Sequence, residues 1–132
     1  MASIQGIGGV FIDSKDPVRL ARWYEETFGI EMETHPDGTS FYHVFWSRDA
    51  ENSILRANPV FAINPAKGEL AEKGRGFVLN LRVDDLGGVL DGLRAKGVAI
   101  EERIQIWERG KHAWTHDLDG NRIELYEEIF PK

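Results

Sequence analysis

Apolar and polar positions along the chain fall into one pattern that occurs twice. Residues 7–12 form a short, β-rich apolar run that ends in Asp13-Ser14-Lys15-Asp16-Pro17. Asp16 suits a helix N-cap, and Pro17 suits the first helical turn, where its missing N–H has no partner to lose. Leu20, Trp23, Tyr24, Thr27 and Phe28 then recur at three- and four-residue steps, while Arg19, Arg22, Glu25 and Glu26 fill the other side. That spacing predicts an amphipathic helix, closed by Gly29 in a left-handed cap. Later, Phe77, Leu79, Leu81 and Val83 alternate with Val78, Asn80 and Arg82, the period of a strand. Asp84-Asp85 repeats the cap signal, Leu86, Val89, Leu90 and Leu93 make a second apolar stripe, and Gly97 follows Lys96 as the closing residue.

The repeat has a nearly constant offset, since Asp16 to Asp85 is 69 residues and Gly29 to Gly97 is 68. Both helices are followed by β-rich segments, 30–34, 41–46 and 60–63 in the first half, and 98–106, 111–117 and 122–127 in the second. Each half therefore reads βαβββ, an α+β class. Residues 65–76, rich in Gly and Lys/Arg, read as a linker between halves 1–64 and 77–132, with a short helical turn expected over 69–73. Asp37-Gly38 and Asp119-Gly120-Asn121 read as hairpin turns.

Composition narrows the chemistry. The 132 residues are 42% hydrophobic and 29% charged, ordinary for a single globular domain, and contain no cysteine. A disulfide scaffold, a cysteine zinc site and a thiol nucleophile are thereby excluded. A net charge of −6 repels phosphate backbones and anionic lipid, so neither nucleic acid nor a membrane surface is an expected partner. No leader-like start and no apolar run near the roughly 20 residues of a membrane helix are present, so a cytoplasmic location is expected. The chain lacks Gly-x-Ser-x-Gly, a phosphate loop, a dinucleotide fingerprint and His-Glu-x-x-His, and Gly6-Ile7-Gly8-Gly9 precedes a strand instead of joining strand to helix.

Three segments carry a resemblance. Asp16-Pro17 leads into Ala21-Arg22-Trp23-Tyr24 and Phe28-Gly29-Ile30; Arg82-Val83-Asp84-Asp85-Leu86 follows; Asp117-Leu118-Asp119-Gly120-Asn121-Arg122-Ile123-Glu124-Leu125 stands near the end. In this order and spacing the chain resembles the vicinal oxygen chelate superfamily of glyoxalase I, extradiol dioxygenases, fosfomycin-resistance transferases and bleomycin-resistance proteins. Leu118 departs from the proline usual there. The resemblance implies two βαβββ modules forming curved mixed sheets around a cleft, and commonly a homodimer. It also implies metal ligands on the first and last strand of each module. Here those positions are Gly9, Val78, Glu124 and a last strand, 58–64, that contains no His or carboxylate. Only Glu124 can bind a metal, so no metal and no other cofactor is expected at the usual place.

A relocated metal is the alternative. A hairpin about 117–120 sets His116 across from Arg122, Trp114 from Glu124 and His112 from Tyr126, all on one face. His112 and His116, however, lie roughly 13 Å apart along a strand, too far to share an ion easily. They read equally well as hydrogen-bonded residues.

The same alternation lists the positions away from the helix: Gly9 and Phe11, then Asn80 and Arg82, Trp114 and His116, and Arg122, Glu124 and Tyr126. Phe11, Asn80, Arg82, Trp114, Arg122 and Tyr126 are the candidate ligand contacts, an aromatic lining with a few polar groups suited to a small organic molecule. Arg82 or Arg122 suits a carboxylate or phosphate. Glu124 and His116 are the candidate catalytic pair, with Glu124 as base; an Arg82–Glu124 ion pair is the purely structural alternative. Residues 41–46, with four aromatics and His43, are either a stacking platform or a strand covered on both faces. The expected function is a metal-free protein that sequesters an aromatic or amphiphilic small molecule. The rival is a lyase-, isomerase- or dioxygenase-like enzyme that uses Glu124 or a relocated metal.

Overall fold

A helix that follows an edge strand must carry the chain to the far side of the sheet before later strands can return, and both halves are built this way. The computed structural model describes residues 7, 9–54, 58–71, 75, 77–101, 103–107 and 110–129. Its elements are β1 (Gly9–Ser14), α1 (Pro17–Phe28), β2 (Glu33–Thr34), β3 (Phe41–Val44), β4 (Val60–Pro65), β5 (Val78–Arg82), α2 (Leu86–Ala95), β6 (Gln105–Trp107), β7 (Gly110–His116) and β8 (Arg122–Glu128). They form two units, Met1–Glu69 and Leu70–Lys132, each a four-stranded mixed sheet with one helix. The strand orders match, β1-β4-β3-β2 and β5-β8-β7-β6. In each, the first strand runs parallel to the last, and the other pairings are antiparallel.

The caps form as the residue types dictate. The Asp16 side chain accepts the Arg19 N–H (3.1 Å), and Asp85 accepts that of Gly88 (3.1 Å). In α2 a second carboxylate helps, because Glu127 on β8 accepts the Leu86 N–H at 2.8 Å. Gly29 (φ 71°) and Gly97 (φ 77°) take the left-handed conformation that closes each helix. At α2 the Val98 N–H bonds Leu93 O (2.9 Å) and that of Gly97 bonds Arg94 O (3.1 Å), the paired bonds of a Schellman motif.

Each helix buries its apolar stripe on one face of its own sheet. Leu20, Ala21 and Tyr24 of α1 are buried, as are Ile12, Phe61 and Ile63 of the first sheet, and the Tyr24 ring meets Phe61 edge-on at 4.8 Å. Trp23, expected in the core, is half-buried, with its ring edge-on to Tyr24 and Phe28. In the second unit Leu86, Leu90 and Leu93 are buried together with Leu79, Ala113, Ile123 and Leu125. Neither helix is long and apolar enough to cross a membrane.

Two expected strands shorten for traceable reasons. The segment 30–34 pairs only at Glu33–Thr34, because the Ile30 N–H returns to Tyr24 O and that of Met32 goes to the Glu25 carboxylate (3.0 Å). Those donors are lost to a ladder. The segment 98–106 makes one bridge, Ile100 to Thr115, and re-pairs from Gln105 opposite His112. The register slips by two residues between the bridge and β6, and Glu101, whose N–H donates to Trp114 O at 2.8 Å, is held to β7 before the slip. In 41–46 the strand ends at Val44; its four residues are half-buried, and Trp46 is 75% exposed beyond it. Gly38 (φ 76°) and Gly120 (φ 83°) make the hairpin turns. Asn121 braces its turn through the side chain, Nδ2 donating to Asp117 at 2.7 Å. The division between units falls inside 65–76; Glu69, Leu70 and Ala71 are not helical, and residues 72–73 of the expected turn lie outside the described residues.

Candidate functional site

In the second unit, the face of the sheet away from α2 gathers most of the chemistry-bearing residues. The pairing of β7 with β8 is the one expected, His116 opposite Arg122, Trp114 opposite Glu124 and His112 opposite Tyr126. The parallel pairing of β5 adds Asn80 beside Glu124 and Arg82 beside Tyr126. Asn80, Arg82, Trp114, His116, Arg122, Glu124 and Tyr126 thus share one face by register and alternation. Outermost, β6 adds Gln105 opposite His112 and Trp107 opposite Gly110.

The polar groups fall into two clusters. In the first, Glu101 accepts a forked pair from Arg122, from Nε and Nη2 at 2.9 Å each. His116 Nε2 is 3.3 Å from the same carboxylate. The hydrogen bonds from Arg122 are the largest influence and, with its charge and that of His116, they outweigh the opposing effect of burial and hold the Glu101 carboxyl below its ordinary 4.5. The Arg122 guanidinium also lies over the Trp114 ring, 5.3 Å from its centroid. Arg122 is therefore a neutralised, stacked cation. Arg82, exposed, makes no hydrogen bond or ion pair among the described residues and is the guanidinium open to an incoming anion.

In the second cluster, His112 donates from Nδ1 to Glu124 Oε2 at 2.7 Å. A carboxylate only accepts, so the proton of this pair sits on Nδ1. His112 is 5% exposed and enclosed by rings. Trp107 stacks on it at 4.0 Å and 8°, Tyr126 lies at 5.1 Å, and Trp114 is near-parallel at 6.2 Å. Its Nε2 is buried with no hydrogen-bond partner among the described residues. Gly110 makes this packing possible, because a Cβ there would lie 2.4 Å from Tyr126 Cε1 and 2.8 Å from His112 Nε2.

These contacts redirect the sequence-based roles. Glu124 meets His112, and Arg82 does not pair with it. His116 answers to Glu101 and His112 to Glu124, so the two histidines go to separate carboxylates instead of converging. Among the described residues no group of three or more His, Asp or Glu is placed to share an ion. The residues also do not fit the metal implied by the resemblance. Gly9 and Val78 carry no donor, Ala62 holds in the first sheet the register position that Glu124 holds in the second, and Glu124 is engaged by His112.

In the first unit, Gly9 and Phe11 lie on the face of β1 away from α1, and Phe11 is 63% exposed. Its ring end reaches back over Gly9, where a Cβ would meet it at 3.3 Å. His43 Nδ1 donates to Glu31 O at 2.7 Å, which ties that side chain to the loop before β2.

The sequence leaves Trp107 open between a stacking role and core packing, and it does not single out Glu101 or the central place of His112. His112 and Glu124 are diagonal neighbours across the β7–β8 ladder, within reach of long side chains, so the face assignment already contained that pair. Glu101 left no such signal, because it is placed by the isolated Ile100–Thr115 bridge and its own N–H bond to Trp114 O, which periodicity does not specify.

Comparison with known proteins agrees with this architecture. The family model described as Glyoxalase/Bleomycin resistance protein/Dioxygenase superfamily matches residues 6–125. No curated protein sequence gives a significant match. Among solved structures, an antibiotic binding protein from Streptomyces sp. CB03234 is similar, with 19% identity, a TM-score of 0.68, and 97% of this chain and 99% of that one covered. A superfamily member from Sphaerobacter thermophilus shows 18% identity and a TM-score of 0.67 over 95% of this chain and 98% of its own. Lactoylglutathione lyase from Agrobacterium tumefaciens shows 14% identity and a TM-score of 0.66, with 96% of each chain covered. At such identities the structural likeness speaks for the fold, while the family match covers most of the sequence. The tandem βαβββ chain belongs to the glyoxalase/bleomycin resistance protein/dioxygenase superfamily.

Proposed function

We propose that this protein binds an aromatic or amphiphilic small molecule on the face of its second sheet away from α2, sequesters it, and does so as a homodimer without a divalent metal. The observation that carries the reading is the single face on which Trp107, Trp114 and Tyr126 surround the His112–Glu124 pair. Aromatic rings supply contact area at small entropic cost, and a few fixed polar groups supply orientation. Arg82 meets an acidic group of the ligand, Asn80 adds a donor and an acceptor, and the Glu101–Arg122 fork stiffens Trp114 from beneath. The Streptomyces neighbour is an antibiotic binding protein, which supports a small-molecule-binding role here. The metal-free part rests on donor chemistry, since Gly9, Val78 and Ala62 offer none.

The His112–Glu124 contact favours one second reading, a metal-independent enzyme in which this pair moves a proton. Glu124→Gln separates the two. Unchanged affinity with loss of a measurable turnover establishes the enzyme, whereas no turnover in either form supports the binder.

The direct test is a thermal-shift and tryptophan-fluorescence titration with flat aromatic acids and amphiphilic antibiotics, paired with elemental analysis of untagged protein and light scattering. Binding is expected to raise Tm and to weaken at least about tenfold in Trp114→Ala. A protein that no such compound stabilises, or that carries one equivalent of metal lost in Glu124→Ala, overturns the reading.

A further inference from the structure

We infer that the ligand carries a hydroxyl group on an aromatic ring, and that this hydroxyl donates to Nε2 of His112, with Glu124 holding the imidazole in the accepting tautomer. The inference rests on the binding function proposed above and specifies its ligand class. Nδ1 is committed to Glu124 at 2.7 Å, so in the neutral imidazole Nε2 presents the lone pair, and that atom is buried without a partner among the described residues. Buried acceptors in folded proteins are nearly always satisfied, and one left open calls for an explanation, of which a bound donor is one. The carboxylate on the far nitrogen polarises the ring and strengthens the acceptor at Nε2.

Geometry selects the donor. The lone pair lies in the imidazole plane, and that plane is layered against Trp107 at 4.0 Å and 8° and is near-parallel to Trp114. A donor reaching Nε2 in this plane enters the layer beside the tryptophan rings, which accepts a flat molecule edge-on. Tyr126 shows that a phenol ring fits beside this imidazole, because its ring lies 5.1 Å from that of His112 and its Cε1 and His112 Nε2 both border the bare Cα of Gly110. A phenol is therefore the right size and shape, and half-buried Tyr126 is the side chain that swings aside for it. No bond is made or broken in this step, and the ligand proton is shared with Nε2.

The test compares simple phenols with their own O-methyl ethers, which keep the ring and lose the donor. Affinities are measured by tryptophan fluorescence for the wild type and for His112→Phe. In the wild type each phenol is expected to bind about tenfold tighter than its ether, and in His112→Phe the phenol falls to the affinity of the ether. Equal binding of phenol and ether by the wild type overturns the inference and leaves the binding function standing. A phenol preference that survives His112→Phe overturns the assignment to His112. Binding of neither member of any pair overturns both the inference and the function beneath it. The wild-type comparison decides the matter even where the variant fails to fold.

Discussion

The two sheets share an order and a register yet differ on the face turned away from their helices. Matching the ladders sets Tyr42 against Trp114, Val44 against His116, Val60 against Arg122, Ala62 against Glu124 and Phe11 against Asn80. On the helix-facing side the same matching sets Phe61 against Ile123 and Ile63 against Leu125, buried in both units. The helix-facing side is therefore what the repeat holds in common, because an amphipathic helix needs an apolar sheet beneath it. The other side is released from that demand. One copy is apolar there up to Asp13 and Asn64, which match Arg82 and Tyr126, and the other carries two carboxylates, two imidazoles and a forked arginine.

The largest effect expected from this comparison lies in the shared cores. Leu20→Ala in α1 and Leu90→Ala in α2 each remove a fully buried side chain, and each is expected to cost about 2–5 kcal/mol in urea unfolding. A cost below about 1 kcal/mol in either helix breaks the claim that both units rest on the same helix-on-sheet packing.

Next comes the substitution that makes the second face resemble the first. Glu124→Ala installs the residue found at the matching position, Ala62, and leaves the Nδ1–H of buried His112 unpaired. The expected cost is about 1–3 kcal/mol, and a neutral result shows that the pair adds nothing to stability.

The caps follow. Asp16→Ala and Asp85→Ala are expected to destabilise by about 0.5–2 kcal/mol, with Asp85 the smaller effect because Glu127 also serves the first turn of α2. Equal losses argue that the Glu127 contact is idle.

The smallest effect concerns Glu101. Arg122 lowers its carboxyl below the ordinary 4.5, so the folded state favours the ionised form. That stabilisation is present at neutral pH and fades as the pH falls from about 4.5 through the depressed value. Glu101→Gln is expected to cost under about 1 kcal/mol at pH 7, because the fork is partly solvated, and to flatten the acid limb of stability against pH. A variant whose acid limb matches the wild type contradicts the role given to Arg122.

Much of this is legible in the amino-acid sequence. The cap at Asp16, the closing Gly29, the alternation through 77–83 and the turn at Gly120 are local signals, each set by residues within a few positions of one another. Once the turn at 117–120 is placed, strand geometry alone sets Trp114 opposite Glu124. The failures share a cause as well. The strand expected over 30–34 was lost to hydrogen bonds from the end of α1, and that over 98–106 to a two-residue register slip. Both are competitions between partners that periodicity does not see.

By itself the sequence determined the two βαβββ modules, the faces of their strands and the absence of donor side chains at Gly9 and Val78, since these follow from chain-local period, turn chemistry and residue type. Only the tertiary structure decided which charge meets which. Glu124 goes to His112 instead of Arg82, and Arg122 is captured by Glu101, because side-chain reach across a ladder and the path of a slipped segment select among partners that alternation leaves equivalent.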